Sequence, residues 1–147
     1  MTGDINNIIG AAISLFIFVL CCLIFISRML KHYRLEYWLG ILFILCAFPL
    51  LYLLYSAYQL NRSILYHIQI GIMIGFIFIE WFLDYVIKSD FRKVKWMAIA
   101  YVLFFFAGTG GMIGIASYAG KIWTISAIIL FFIMTTLAFV QHVKTGM

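Results

Sequence analysis

The residue best suited to chemistry is Glu80, a carboxylate within a run of apolar and aromatic side chains. Asp84 follows it by four residues and Lys88 by eight, so the three charges share one face of a helix. A carboxylate within hydrocarbon costs about 2.5–3.5 kcal/mol and generally faces the interior of a helix bundle. Glu80 is therefore the candidate group for binding a proton or a cation.

Two interpretations of Glu80 stay open. It binds a proton, an ion or a substrate, or it is a neutral, hydrogen-bonded acid that joins helices or protomers. Asp84 also has a structural interpretation, because a pair with Lys88 at the membrane edge would anchor the helix. Equal depths counted along the other helices predict Tyr101 and Thr135 as partners of Glu80. The predicted ion-binding or substrate-binding residues are Glu80, Asp84, Tyr101 and Thr135.

Long apolar segments would position these residues in a membrane. We predict five helices, at residues 7–28, 37–59, 64–88, 95–117 and 121–142, each long enough to cross about 30 Å of hydrocarbon. Of the 147 residues, 67% are hydrophobic and 10% charged, which leaves too few polar side chains to cover a water-facing surface. The sequence predicts an all-α, polytopic integral membrane protein with one transmembrane domain over residues 1–147. A water-soluble enzyme and a disordered chain are excluded.

Basic residues are distributed unequally between the connecting segments. Segments 28–36 and 88–95 and the C-terminal tail hold eight Lys and Arg residues, whereas the alternate connections hold two. This asymmetry predicts an N-terminus outside the cell and a C-terminus in the cytoplasm. The same asymmetry explains the net charge of +5, because the basic residues fix the topology and contact anionic lipid headgroups. We predict no nucleic-acid partner. The small size predicts a bacterial or archaeal plasma membrane.

Proline and glycine mark where the helices should bend or approach one another. Pro49 predicts a kink in the second helix, because it cannot donate the usual backbone hydrogen bond. The patterns Gly71-x-x-x-Gly75 and Gly110-x-x-x-Gly114 predict close contacts between helices. Unwinding of the fourth helix at its glycines is the alternative.

Two helices carry a stripe of polar residues. In the first helix they recur at every seventh position: Asn7, Ser14, Cys21 and Arg28. In the fifth helix they share one face: Lys121, Thr124, Thr135 and His142. Both stripes are predicted to face protein.

Metal binding and enzymatic catalysis have little support in the sequence. Cys21 and Cys22 are adjacent and diverge by about 100° on a helix, so both cannot face one ion without distortion. Cys46 also lies in an apolar segment, where cysteine is usually a small apolar filler. The chain has no G-x-S-x-G or H-E-x-x-H motif. We predict no metal and no cofactor, and an enzyme is disfavoured though still open.

Two functions fit these residues. The first is a small membrane transporter or channel subunit that binds a proton or cation at Glu80. The second is a non-catalytic assembly or regulatory subunit of a larger membrane complex, in which Glu80 pairs with the partner. One bundle of five helices encloses little space, so a continuous pore would need several copies of the chain. We therefore predict a homo-oligomer.

Overall fold

The computed structural model describes residues 2–59, 61, 64–83 and 95–145, and these residues form an all-α bundle. The helices in chain order are α1 Thr2–Met29, α2 Tyr33–Leu45, α3 Ala47–Gln59, α4 Ile64–Trp81, α5 Lys95–Ser117 and α6 Lys121–Thr145. Because α2 and α3 form one apolar span, the described chain has five spans long and apolar enough to cross a membrane. The five predicted spans are confirmed, although residues 84–88 of the third lie outside the described residues.

The second span is interrupted at Cys46, between α2 and α3. The Cys46 N–H donates to both Leu42 O and Phe43 O at 3.2 Å, a shared hydrogen bond that is common where a helix ends. Pro49 follows three residues later and has no N–H to donate to the carbonyl of Leu45. The distortion predicted from Pro49 is therefore present, about one turn before the proline itself.

Helix α1 is the central element of the bundle. It packs against α2, α3, α5 and α6, whereas α4 packs against α2, α3 and α5. Helix α6 contacts α1 and α5, and its outward face is exposed at Phe132 and Phe139. Apolar outer surfaces of this kind are expected where lipid is the solvent. The described fold is that of a multi-pass membrane protein.

The polar stripe predicted on α1 is confirmed, and the one predicted on α6 is wrong. Ser14 and Cys21 are buried on α1. On α6, Lys121 and His142 are exposed. The residues that α6 buries most deeply are Ala127, Met134 and Gln141. These three residues are spaced by seven and lie on a face about 100° from the predicted one. Two of them are apolar, the small Ala127 and the flexible Met134, and such side chains pack against α1 and α5 better than hydroxyl groups do.

Glycines of α5 allow close contact with α4, but not through the predicted Gly110. A Cβ built at Gly108 would lie 3.5 Å from the Cα of Met73, and one at Gly111 would lie 3.3 Å from the Cβ of Gln69. A Cβ at Gly110 would meet no described atom within 4 Å. Gly114, by contrast, faces the Gln69 amide as the pattern predicts. The same test finds open space at Gly71, so the predicted Gly71-x-x-x-Gly75 contact is wrong at that residue.

Candidate functional site

Glu80 lies in the last turn of α4, beside the end of the helix at Trp81. It is half-buried, whereas Phe78 and Ile79 immediately before it are exposed. Successive residues on a helix point about 100° apart, so the exposed pair covers the outer side and Glu80 the inner side. The carboxylate is thus partly sheltered by its own bundle.

Glu80 lines a small, partly open pocket of about 20 Å³, room for about one water molecule. Its lining comes from α1, α2, α4 and α5: Cys21, Ile24, Phe25, Arg28, Phe43, Glu80, Tyr101 and Phe105. The polar groups in this lining are a carboxylate, a guanidinium, a phenol and a thiol. Polar groups converging within an apolar wall are typical of binding pockets.

Arg28 borders this pocket and forms an ion pair with Glu36. The Arg28 Nε donates a hydrogen bond to Glu36 Oε1 at 2.6 Å, with the two side chains 10% and 25% exposed. The Arg28 guanidinium carbon also lies 5.9 Å from the centroid of the Phe25 ring, within cation–π range. The ion pair therefore joins the end of α1 to the first turn of α2 beside the pocket.

Tyr101 connects the pocket to the aromatic core of the bundle. Its ring centroid lies 5.2 Å from that of Phe76, and the centroid of Phe105 lies 5.3 Å from Phe76. Phe76 itself has no exposed surface. Tyr101 and Phe105 thus join the pocket that Glu80 lines to the buried ring of Phe76, and Tyr101 brings a hydroxyl group to that pocket.

The structure brings together some of the predicted site residues. Glu80 and Tyr101 line one pocket. Thr135 is half-buried on α6 and is not among the pocket residues; its hydroxyl donates to the Phe131 carbonyl at 2.8 Å. Asp84 lies outside the described residues. The site containing Glu80, Asp84, Tyr101 and Thr135 stays a prediction.

Arg28 is the pocket residue that sequence reasoning missed. The signal was present, because Arg28 follows Cys21 by seven residues on the predicted polar stripe of α1. Phe43 and Phe105 had no comparable signal, since aromatic residues occur throughout the chain.

The described cysteines are free, buried thiols: Cys21, Cys22 and Cys46. Within the described ranges, His, Cys, Asp and Glu side chains do not gather in groups of three that could hold a metal ion. Cys21 therefore contributes to the Glu80 pocket as a small, weakly polar wall residue.

The charges bordering the pocket favour a positive ligand. Glu36 and Glu80 provide two carboxylates and Arg28 one guanidinium, so these three described groups carry one net negative charge when both acids are ionised. A charge that is partly removed from water is stabilised by pairing or by protonation. The carboxylates are the groups in this set that could accept a proton or coordinate a cation.

Comparisons with protein-family models, with curated proteins and with solved structures find no match to this chain. The functional argument consequently rests on the geometry of the bundle and the chemistry of the pocket.

Proposed function

We propose that the protein is a small membrane transporter or channel subunit that binds a proton or a cation at Glu80. The observation that carries the proposal is the position of Glu80 in a partly open pocket formed by α1, α2, α4 and α5. An ionisable side chain within a membrane-spanning helix is costly, and such residues generally mark ion pathways or proton relays.

The Arg28–Glu36 ion pair supports the same interpretation. One guanidinium serves two nearby carboxylates, and its Nε is directed at Glu36. Two carboxylates and one guanidinium therefore lie at or beside the pocket, and this set of charges favours binding of a proton or a cation. We propose Tyr101 as the hydrogen-bonding group that orients the Glu80 carboxyl. Asp84 and Thr135 are proposed as further members of the ion-binding or substrate-binding site.

The proposed orientation places the N-terminus outside and the C-terminus in the cytoplasm. Its support is the excess of Lys and Arg in segments 28–36 and 88–95. In this orientation the pocket lies toward the cytoplasmic face, and Lys31 and Arg34, both exposed, contact anionic lipid headgroups. The proposed location is the plasma membrane of a bacterium or an archaeon.

We also propose that the working unit is a homo-oligomer. One five-span bundle encloses little space, and the outward face of α6 offers an apolar surface at Phe132 and Phe139. The same surface favours the second candidate function, a non-catalytic assembly or regulatory subunit of a larger membrane complex. In that case the surface of α6 binds the partner and Glu80 contributes to assembly.

Flux through liposomes containing the purified protein tests the proposal. A pH gradient at fixed salt measures proton flux, and a Na⁺ or K⁺ gradient at fixed pH measures cation flux. We expect wild-type flux in one arm and its near-complete loss in Glu80→Gln, which keeps the size of the side chain and removes its acid. The matched control is Glu80→Asp, which keeps the carboxyl group and should retain more of the flux than Glu80→Gln.

Equal loss of flux in Glu80→Asp and Glu80→Gln would show that the effect does not depend on the carboxyl group. Absence of wild-type flux, together with loss of a co-purifying membrane partner in Glu80→Gln, would favour the assembly subunit. A Glu80→Gln protein that matches wild type in flux and in co-purification contradicts both functions.

A further inference from the structure

A second set of polar groups lies at the opposite end of the bundle from Glu80. The side-chain oxygens of Asn7 in α1 and Gln69 in α4 are buried and have no hydrogen-bond partner among the described residues. A buried acceptor without a donor loses its hydration and gains nothing in return, so such atoms in proteins generally bind a water molecule or an ion. Both oxygens are acceptors, which selects a ligand that donates hydrogen bonds or carries positive charge.

Helix α5 contacts α4 at Gln69 and contacts α1 one turn after Asn7. A Cβ built at Gly114 would clash with the Gln69 amide, so the absent side chain is what leaves room for that amide. The next residue, Ile115, lies 3.0 Å from a Cβ built at Gly10, one turn after Asn7 on α1. Gly10, one turn after Asn7, and Gln69 therefore contact neighbouring residues of α5.

Gln69 shares a face of α4 with Glu80. Glu80 follows Gln69 by eleven positions, which corresponds to about 16 Å along the helix axis and a rotation of about 20°. Met73 and Phe76 lie between them on that face, and neither has exposed surface. The Phe76 ring lies 5.2–6.2 Å, centroid to centroid, from four other rings: Phe43, Tyr101, Phe104 and Phe105. Two polar positions are thus separated by an apolar barrier.

We propose that Asn7 and Gln69 form a second binding position, for hydrated protons or a monovalent cation, and that Met73 and Phe76 are the barrier between this position and Glu80. The proposal rests on the function proposed for Glu80 and extends it to a path along α4. Successive binding positions allow an ion to enter and leave, and an apolar constriction excludes water when it is closed. Motion of Phe76 within its ring cluster would open the path.

Thiol labelling in membranes tests the second position without requiring transport. In a chain with Cys21, Cys22 and Cys46 replaced by serine, Gln69→Cys is treated with a cationic, membrane-impermeant methanethiosulfonate reagent. Met73→Cys, one turn away on the same face, and Ile68→Cys, which is exposed on the outer surface of α4, are the controls. We expect Gln69→Cys to react on the order of tenfold faster than either, because reaction requires access to water.

The side of labelling gives a further check. Lys31→Cys, in the exposed turn after α1, should react from one side of the membrane and Gln69→Cys from the other. Labelling of Gln69→Cys that is as slow as that of Met73→Cys overturns the second position.

Flux of variants that keep all three native cysteines provides an independent test if the serine-substituted chain does not fold. Gln69→Leu should lower the flux on the order of tenfold, whereas Gln69→Asn, which keeps an amide oxygen, should retain most of it. The pH-gradient and salt-gradient arms distinguish a proton from a cation. Flux lost in Glu80→Gln and retained in Gln69→Leu overturns the second position and leaves the first. Absent wild-type flux contradicts the function proposed for Glu80, while labelling still decides the second position.

Discussion

The side chains of α5 are small at one end of the α4–α5 interface and large at the other. Toward Gln69, α5 presents Gly111 and Gly114, and the helices approach until the amide lies against the α5 backbone. Toward Glu80, α5 presents Tyr101 and Phe105, which line an open pocket. The difference shows that side-chain volume along one helix decides how closely α4 and α5 approach each other.

The two ends also differ in how their polar groups are neutralised. The Glu80 end has an ion pair between Arg28 and Glu36 at 2.6 Å. The Gln69 end has uncharged amides whose oxygens have no partner among the described residues. A charge needs a counter-charge and tolerates exchange with water, whereas a neutral amide can be enclosed at lower cost. The open end therefore carries the acid.

The largest expected effect is on the aromatic barrier between the two ends. Phe76→Ala removes a fully buried ring that contacts the rings of Phe43, Tyr101, Phe104 and Phe105. We expect the free energy of unfolding to fall by about 3–5 kcal/mol, measured by denaturation in detergent micelles. Phe78→Ala, at an exposed position two residues away, should lose far less. Equal losses of unfolding free energy in Phe76→Ala and Phe78→Ala would contradict a packed aromatic barrier at Phe76.

The next effect concerns the ion pair at the open end. Arg28→Gln removes a shielded, charge-assisted hydrogen bond to Glu36, and we expect a loss of about 1.5–3 kcal/mol in the same denaturation experiment. Arg34→Gln, at an exposed position in the same basic segment, is the matched control and should be nearly neutral. An Arg28→Gln protein as stable as the control would show that the pair adds nothing to the joining of α1 and α2.

At the end where α4 and α5 approach closely, Gly114→Ala sharpens the comparison. The added Cβ would overlap the Gln69 amide, and overpacking of this kind costs about 1–3 kcal/mol. Gly110→Ala adds the same methyl group where no described atom lies within 4 Å, so its stability should be unchanged or slightly higher. Thermal unfolding of the two proteins side by side measures the difference, and the reverse order would contradict the close approach of α4 and α5 at Gly114.

The smallest effect is expected at Thr135. Its hydroxyl donates to the Phe131 carbonyl within α6, so Thr135→Val should change stability by less than about 0.6 kcal/mol. Thr136→Val, at the adjacent exposed position with the same kind of bond to Phe132, is the control. A loss of flux in Thr135→Val that matches Glu80→Gln would support the proposed place of Thr135 in the site, and unchanged flux would remove it.

The spans were predictable because hydrophobic length is a local property of the sequence. The break near Pro49 followed from backbone chemistry in the same way. The inward face of α6 was not predictable from its polar residues, because Thr135 bonds to its own helix while Ala127 and Met134 are the residues that pack. Hydroxyl groups on a membrane helix satisfy themselves locally, and so they are a poor guide to its buried face.

The pocket was predictable in part. Glu80 was identified because an acid in an apolar segment is expensive, and Tyr101 because equal depths along two helices could be counted. Whether Arg28 lines the pocket depends on the orientation of α1 about its axis relative to α2 and α4. Tertiary packing sets that orientation. Glu36 reaches Arg28 across the turn between α1 and α2, and eight residues of separation do not by themselves predict that contact.

The most direct test of the pocket is infrared difference spectroscopy of the protein in lipid while the pH or the cation concentration is changed. If Glu80 exchanges its ligand with water, the carboxyl band that disappears in Glu80→Gln will respond reversibly to that change in the wild-type protein. A Glu80 band that stays constant across pH and cation concentration would contradict a binding role for this carboxyl group.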